Sequence, residues 1–571
     1  MRRRFWILVL ALAGSQVLLR AQSNSGNGSR DAHKIEATVQ ARDGAAGADW
    51  PSFGGTDLAW RYSALDQINT TNVNKMVPAW MFQSGDEQGP LQSTPIVVNG
   101  VVYLSTNRVH VFAIDGATGR LIWQYIYEPS PGGRLSSNRG VAVAGGKVLV
   151  GTGDDFLIAL DQTTGKEVWK VAVDDASVGG SISSAPLVVK DKVIVGDGGE
   201  SPHRAYLTAF DIKTGRMLWR FYTVPGPGEK GHETWAGDSW KYGGAYPWMT
   251  GSYDPELNLV YWGTGNPDPI FYGGQRQGID LYSCSIIALD ADTGKLRWYY
   301  QEIPHDTWDY DSAWECVLLD RQVNGRTRKL LVHFGKAGYV WVLDRETGEL
   351  LNVHPYSEVP ANWVTGITDK GELVGRNDSP MEGEPRKLIC PASSGPKDLE
   401  QTAYSPRTGL IYSPTKEYCA YFTQRPPVPG AANDHGGGTY VYTAPPGHDS
   451  AYSHIDALDP VTGKRQWTYP YKYNLLASML ATAGDLVLTG DSEGDFFALD
   501  AHTGKKLWSF QTGAGHRGSA VTYLAGGRQY IATPTGWGSV TASIMAGLWP
   551  EAVSWRTGST LVVFALPEQP R

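Results

Sequence analysis

The segment Ala113-Ile114-Asp115-Gly116-Ala117-Thr118-Gly119-Arg120-Leu121-Ile122-Trp123 recurs along the chain and decides the fold. In this segment an apolar run ends at Asp115, Gly119 can adopt a positive φ, and a second run carries Trp123, which is the pattern of a β-hairpin. Further copies have their Asp and Trp at Asp161/Trp169, Asp211/Trp219, Asp290/Trp298, Asp459/Trp467 and Asp500/Trp508. One more copy, at Asp344, has Asn352 in place of the Trp.

Neighbouring copies are separated by the length of a β-propeller blade. The Asp positions lie 46 (115 to 161), 50 (161 to 211), 54 (290 to 344) and 41 (459 to 500) residues apart, which are blade periods. Weaker hairpins at 253–262 and 404–412 occupy the two longer intervals. The sequence therefore predicts an all-β propeller in which each repeat Trp packs between adjacent blades.

Charge and the N-terminal segment limit the classes of partner. A net charge of −8 and the absence of a dense Lys/Arg run argue against nucleic acid. Residues 1–21, with three arginines before an apolar run, are predicted to be a secretory signal peptide, for which a membrane anchor is the alternative. Residues 22–48 are predicted to be a disordered leader, and residues 49–571 a single propeller domain. The mature protein is therefore expected to be exported and periplasmic.

The segment Pro304-His305-Asp306-Thr307-Trp308-Asp309-Tyr310-Asp311 is the main candidate for a site, because it follows a repeat strand as a loop. If this segment is extended, Asp309 and Asp311 face one point and Tyr310 faces the other side. Two adjacent carboxylates repel each other unless a cation lies between them. The alternative is a solvated acidic loop.

These motifs resemble a known family. The Asp-x-x-Thr-Gly-x-x-x-Trp repeat, the stretch Gly263-Thr264-Gly265-Asn266-Pro267 and the Pro304 to Asp309 motif are similar to those of the pyrroloquinoline quinone (PQQ) dependent alcohol dehydrogenases, which include methanol dehydrogenase. The resemblance runs from about Trp50 to Phe564. It implies an eight-bladed propeller with PQQ near the axis and with the N- and C-terminal strands sharing a blade.

The resemblance implies a metal site of oxygen ligands, which suit a hard cation. Glu200 and Asn266 match metal ligands, and Asp309 matches a residue that is both metal neighbour and catalytic base. Asp311 matches the second Asp of the lanthanide-dependent branch, whereas calcium-dependent relatives have a small residue there. Three carboxylates balance a trivalent ion better than a divalent one, so a lanthanide is predicted, with Ca²⁺ as the alternative. Asp311 could instead turn outward or accept a hydrogen bond from a neighbouring backbone amide.

The resemblance also implies a cofactor site. Trp248 matches the ring below the quinone, Arg139 matches a partner of a PQQ carboxylate, and Lys336 matches the cation beside the quinone oxygens. The remaining predicted cofactor contacts are Gln92, Ser183, Asp398 and Trp537.

The chain differs from the family at several positions, and its four cysteines allow a prediction about disulfides. Residues 133–136 lack the two adjacent cysteines of many relatives, and Asp197 stands where many have a small residue. By resemblance Cys390 and Cys419 form a disulfide. Cys284 and Cys316 could pair or remain as buried thiols. No Cys-x-x-Cys-His motif is present, so electrons are expected to leave to a separate acceptor.

The resemblance implies oxidation of a small alcohol to an aldehyde or ketone. Asp309 takes the hydroxyl proton, the hydride passes to C5 of PQQ, the cation polarises the C5 carbonyl, and a periplasmic cytochrome c receives the electrons. A homodimer is compatible with this function. Two alternatives are a quinoprotein for sugars or polymeric alcohols and a non-enzymatic propeller scaffold, which would not need Glu200, Asn266 and Asp309.

Overall fold

The computed structural model describes residues 46–86, 90–130, 137–175, 178–199, 202–323, 325–428, 436–538, 546–555 and 557–568. The predicted signal peptide and most of the predicted leader lie outside these ranges. The described residues begin at Ala46, whose amide donates to the carbonyl of Tyr62 at 2.8 Å, and the carbonyl of Ala48 accepts from the amide of Leu524 at 2.8 Å.

Forty strands form the described part of the chain. The first group comprises β1 (Tyr62–Ser63), β2 (Val77–Gln83), β3 (Ile96–Val98), β4 (Val101–Ser105), β5 (Val111–Asp115), β6 (Leu121–Tyr125), β7 (Ala142–Ala144), β8 (Lys147–Gly151), β9 (Phe156–Asp161), β10 (Glu167–Ala172), β11 (Leu187–Val189), β12 (Lys192–Gly196), β13 (His203–Arg204), β14 (Tyr206–Asp211) and β15 (Met217–Tyr222). The second group comprises β16 (Gly243–Gly244), β17 (Ser252–Asp254), β18 (Leu259–Gly263), β19 (Ser285–Asp290), β20 (Leu296–Gln301), β21 (Val317–Val323), β22 (Arg326–Phe334), β23 (Tyr339–Asp344), β24 (Leu350–Pro355), β25 (Gly366–Ile367), β26 (Leu373–Val374) and β27 (Lys387–Ile389). The third group comprises β28 (Ala403–Ser405), β29 (Leu410–Glu417), β30 (Cys419–Gln424), β31 (Gly438–Thr443), β32 (Tyr452–Leu458), β33 (Arg465–Tyr471), β34 (Leu480–Thr482), β35 (Leu486–Gly490), β36 (Asp495–Asp500), β37 (Lys506–Gln511), β38 (Val521–Ala525), β39 (Arg528–Thr535) and β40 (Thr560–Ala565).

Among the described residues, four short 3₁₀ turns span Val73–Lys75, His232–Thr234, Ser239–Lys241 and Pro550–Ser554. Across the residues that the structure describes, none of the helices is long and apolar enough to cross a membrane.

In the described ranges, eight sheets each contain a run of four antiparallel strands. Their strand orders are β3-β4-β5-β6, β7-β8-β9-β10, β11-β12-β14-β15, β17-β18-β19-β20, β21-β22-β23-β24, β28-β29-β32-β33, β34-β35-β36-β37 and β38-β39-β40-β2. In the last sheet, the second strand β2 pairs with the C-terminal strand β40, whereas the first strand β1 pairs with β34 in the preceding sheet. The two weaker predicted hairpins are β17–β18 and β28–β29.

The repeat joins neighbouring sheets through its Trp and Gly. Asp115 Oδ1 accepts from the amide and the hydroxyl of Thr118, each at 2.9 Å, which fixes the turn before β6. Trp123 Nε1 donates to the carbonyl of Gln162 in the next sheet at 3.0 Å. A Cβ at Gly165, in the turn of that next sheet, would lie 2.5 Å from the Trp123 ring, so a side chain there is excluded. The equivalent indole donors and acceptors are Trp169 to Ile212, Trp219 to Ala291, Trp298 to Arg345, Trp467 to Ala501 and Trp508 to Met76.

The copy without a Trp keeps the same contact. Asn352 Nδ2 donates to the carbonyl of Val461 in the following sheet at 2.7 Å, where an indole donates elsewhere. In the last sheet, Trp80 Nε1 on β2 donates to the carbonyl of Gly116 in the first sheet at 3.1 Å. This series of hydrogen bonds therefore returns to the sheet from which it began.

The longest interval between repeats contains an additional sheet. Strands β27, β30 and β31 pair in that order, and the predicted disulfide between Cys390 and Cys419 joins the ends of β27 and β30. Cys284 and Cys316, for which the sequence left two alternatives, are both buried free thiols.

A buried charged group stabilises the sheet of β29 and β32. His454 Nε2 lies 3.1 Å from Glu417 Oε1, and His454 Nδ1 lies 3.0 Å from Asp456 Oδ2. Although burial opposes the charged form, the two carboxylates raise the pKa of His454 to about 9. His454 is therefore a buried imidazolium at neutral pH.

Candidate functional site

The loop from Pro304 to Asp311 leaves β20 and is mostly buried. Its backbone differs from the predicted extended conformation, because Asp309 has a φ of +68°, a left-handed conformation that few residues other than glycine adopt. The cause is Asp306, whose two carboxylate oxygens accept from the amides of Trp308 and Tyr310 at 3.1 Å each, on either side of Asp309. The predicted strand-like spacing is therefore wrong.

The two carboxylates nevertheless face one cation. Lys336 Nζ lies 3.4 Å from Asp309 Oδ1 and 3.8 Å from Asp311 Oδ2. The Lys336 side chain is only 6% exposed. Although burial opposes its charge, the two carboxylates raise the pKa of Lys336 above its usual value, so it is an ammonium. Tyr310 points away from Lys336 and donates to the carbonyl of Pro391 at 2.5 Å.

Asp311 connects the predicted metal and cofactor residues. Its Oδ1 accepts from the amide of Asn266 at 2.9 Å, and its Oδ2 accepts from Trp248 Nε1 at 2.9 Å. The alternative in which Asp311 accepts from a backbone amide is thus present in the structure. The other alternative, in which Asp311 turns outward, does not occur, because the Asp311 side chain is only 5% exposed. Asn266 lies three residues after the end of β18, and its carbonyl accepts from the amide of Ala245 at 2.7 Å.

Trp248 is positioned by its backbone and by two neighbouring side chains. Ser183 Oγ donates to the carbonyl of Trp248 at 3.3 Å, and the carbonyl of Ser183 accepts from the amide of Arg139 at 3.1 Å. The Arg139 guanidinium carbon lies 4.8 Å from the centroid of the Trp248 ring. The structure therefore brings Trp248, Arg139 and Ser183 together.

The sequence analysis missed Trp314. Its ring packs edge-on against Trp248 with centroids 5.2 Å apart, and the ammonium groups of Lys336 and Lys397 each lie 5.6 Å from a Trp314 ring centroid. Trp314 thus supports Trp248 and Lys336 from within the protein. The signal was available, because Trp314 lies three positions after Asp311 and outside the repeat frame, as Trp248 does.

The remaining predicted residues differ in their placement. Gln92 is buried, and in the described part of the molecule its side-chain oxygen has no hydrogen-bond partner. Burial raises the pKa of Asp398, and the ammonium groups of Lys336 and Lys416 oppose this rise. Trp537 is buried but packs edge-on against Trp555 at 5.3 Å, a contact outside the cluster around Lys336.

Glu200 lies outside the described residues. Asp197 Oδ2 pairs with His203 Nε2 at 2.5 Å. Among the residues that the structure describes, no three His, Cys, Asp or Glu side chains form a metal-binding group.

The side chains fit a flat polyanionic cofactor together with a cation. Arg139 and Lys336 are buried positive charges, and the Trp248 ring can stack on a planar molecule. The unpartnered amide oxygen of buried Gln92 is a polar group that a ligand would satisfy. The carboxylates of Asp309 and Asp311 are hard oxygen donors, which suit calcium or a lanthanide.

Comparison with known proteins gives a consistent result. Residues 50–370 match the profile of the PQQ family, the β-propeller domain of glucose, ethanol and alcohol dehydrogenases. Residues 403–552 match the profile of outer membrane protein assembly factor BamB. The chain is 36% identical to the lanthanide-dependent methanol dehydrogenase of Methylorubrum extorquens, over 89% of this chain and 92% of that protein. It is also 36% identical to the quinoprotein alcohol dehydrogenase PedH of Pseudomonas putida, over 89% of each.

A solved structure agrees with these matches. The fold superimposes on a europium-containing methanol dehydrogenase with a TM-score of 0.84 and 34% identity, covering 91% of this chain and 98% of that one. Fold and site together define a β-propeller of the quinoprotein class. The chain belongs to the family of PQQ-dependent alcohol dehydrogenases.

Proposed function

We propose that the protein oxidises small alcohols to aldehydes or ketones with PQQ and a lanthanide ion. The observation that carries the proposal is the convergence of Asp309 and Asp311 on Lys336, with Asn266 and Trp248 both hydrogen-bonded to Asp311. A structural acidic loop would not need a buried lysine and an indole donor directed at its carboxylates.

Each side chain has a defined task in this proposal. Trp248 stacks on PQQ, Arg139 pairs with one of its carboxylates, and Gln92 and Ser183 supply polar contacts. When bound, PQQ supplies a two-electron acceptor whose carbonyl the metal ion polarises. Asp309 removes the proton from the alcohol hydroxyl, and Lys336 limits the repulsion between the Asp309 and Asp311 carboxylates.

The metal ligands are Glu200, Asn266, Asp309 and Asp311. Three of them are carboxylates, a charge that balances a trivalent ion and exceeds that of Ca²⁺. The relative from Methylorubrum extorquens and the europium-containing structure support a lanthanide. Calcium is the alternative.

The proposed architecture is an eight-bladed propeller formed by residues 49–571. It is supported by the eight antiparallel sheets in the described ranges and by the series of Trp and Asn352 hydrogen bonds that links them in a cycle. Residues 1–21 would direct the chain to the periplasm, where a cytochrome c would accept the electrons. A homodimer is compatible with this arrangement. The scaffold alternative is disfavoured, because the assembly-factor match at 403–552 includes none of the proposed metal ligands.

Reconstitution tests the proposal. The purified protein is incubated with PQQ and with La³⁺, Ce³⁺ or Ca²⁺, freed of unbound cofactor by gel filtration, and assayed by dye reduction with alcohols, sugars and polymeric alcohols. We expect retained quinone absorbance and alcohol oxidation that is much stronger with the lanthanides than with Ca²⁺. The absence of bound quinone with every ion would contradict the enzyme proposal, and a sugar preference would favour the alternative substrate class.

A further inference from the structure

The conformation of Asp309 is set by a neighbouring carboxylate that lies outside the proposed ligand set. Asp306 is fully buried, and its two oxygens accept from the amides of Trp308 and Tyr310 at 3.1 Å each. The backbone amides of the residues before and after Asp309 are therefore both tied to the Asp306 side chain. A non-glycine residue in the left-handed region persists only where its surroundings enforce that conformation.

Asp306 is itself held in place by a buried arginine. Arg276 donates to the main-chain carbonyl of Asp306 and pairs with Asp280 through Nη1 at 2.7 Å. Both Arg276 and Asp280 are fully buried. Because the backbone of Asp306 is fixed, its carboxylate cannot follow a displacement of Asp309.

The same loop is held from outside by Arg376, on the segment between β26 and β27. Its Nη1 donates to the carbonyl of Pro304 at 2.6 Å, and its Nη2 donates to the carbonyl of His305 at 2.9 Å. Its guanidinium carbon lies 4.6 Å from the centroid of the Trp308 ring. The Arg376 side chain is 25% exposed, so it closes the loop at the protein surface.

On the basis of the proposed function, we propose that Asp306 and Arg376 are positioning residues that hold Asp309 where its carboxylate meets both Lys336 and the substrate hydroxyl. Neither residue touches substrate or cofactor in this proposal. Displacing a catalytic group by about 1 Å can lower a rate by about 100-fold. The inserted segment between β24 and β27 thereby acquires a role in the reaction through Arg376.

The test uses Asp306→Asn and Arg376→Gln in the reconstituted enzyme. The amide nitrogen of Asn cannot accept a hydrogen bond, so one of the Trp308 and Tyr310 amides loses its partner. We expect kcat per bound PQQ to fall by about 10- to 100-fold for Asp306→Asn and by less for Arg376→Gln, with KM for the alcohol within about twofold. The deuterium isotope effect with an α-deuterated alcohol should increase, because the chemical step becomes rate-limiting. A smaller fraction of folded protein would by itself change neither kcat per bound PQQ nor the isotope effect.

Two variants serve as matched controls. Asp500 accepts from the amides of His502 and Thr503 at 3.0 and 2.9 Å in a repeat turn, and Arg528 donates to the carbonyl of Leu566 at the surface. Asp500→Asn and Arg528→Gln should leave kcat per bound PQQ and the isotope effect unchanged.

Asp309→Asn separates this inference from the proposed function. If Asp309→Asn keeps wild-type kcat, the proposed role of Asp309 fails. If Asp309→Asn is inactive while Asp306→Asn and Arg376→Gln keep wild-type kcat and isotope effects, the positioning inference alone is overturned. If Asp306→Asn yields no folded protein, Arg376→Gln decides the question, and wild-type values for it count against the inference.

Discussion

Replacement of Asp311 by Asn tests the origin of the metal preference, because it preserves shape while removing one charge. A trivalent ion carries one charge more than Ca²⁺, and Asp311 interacts with that additional charge. For a pair of unit charges about 4 Å apart at an effective dielectric constant of about 20, the interaction is about 4 kcal/mol. Because Lys336 lies 3.8 Å from Asp311 and opposes part of this effect, we expect the preference for La³⁺ over Ca²⁺ to fall by about 100-fold, or about 3 kcal/mol.

The assay is calorimetric titration of La³⁺ and Ca²⁺ into the PQQ-loaded protein, wild type and Asp311→Asn, with Asp500→Asn as a control at a distant carboxylate. The metal-free variant should also lose about 1–3 kcal/mol of stability, since Asn leaves the Asn266 amide or the Trp248 indole without an acceptor. An unchanged ratio of La³⁺ to Ca²⁺ affinity in Asp311→Asn would refute the charge argument, even if both affinities fell.

Three further predictions concern cofactor binding, pH and thiols. Trp248→Ala should lose bound quinone absorbance after gel filtration, whereas Trp248→Phe should retain it; equal retention by both would contradict stacking. His454 has a folded pKa of about 9 against 6.5 unfolded, so its contribution of about 3 kcal/mol is complete below pH 6.5 and is lost as the pH rises through 9. Between pH 7 and pH 10, the free energy of unfolding measured with denaturant should therefore fall more in wild type than in His454→Gln. Equal decreases in the two proteins would show that charged His454 does not stabilise the fold. Cys284 and Cys316 should react with a thiol reagent only after unfolding, because both are buried; reaction in the native protein would contradict their burial.

Local interactions made much of the fold predictable. The turn after Asp115 is fixed by that residue's own contacts with Thr118, so the hairpin could be read from adjacent positions. The contact of Asn352 with Val461 could not be predicted from the sequence, because a single Asn carries no periodic signal. The sheet of β27, β30 and β31 was also missed, since these strands lie outside the repeat units.

In the candidate site, too, the sequence predicted some features and not others. Family motifs located Asp309, Asp311 and Lys336, and the structure brings them together. The left-handed backbone at Asp309 was not predictable from its spacing to Asp311, because Asp306 sets it through hydrogen bonds to the flanking amides. Residue identity therefore indicated the chemistry, whereas contacts within the fold determined the geometry.

The pairing of β2 with β40 has a consequence for biosynthesis. Most other sheets form from residues close in sequence, but Val77 and Ala565 lie side by side. During synthesis or export, β2 must wait for nearly the whole chain before its partner β40 emerges. We expect the pairing of β2 with β40 to form last and to separate first under denaturing stress. A chain that stops before Thr560 would leave two sheet edges exposed and prone to aggregation.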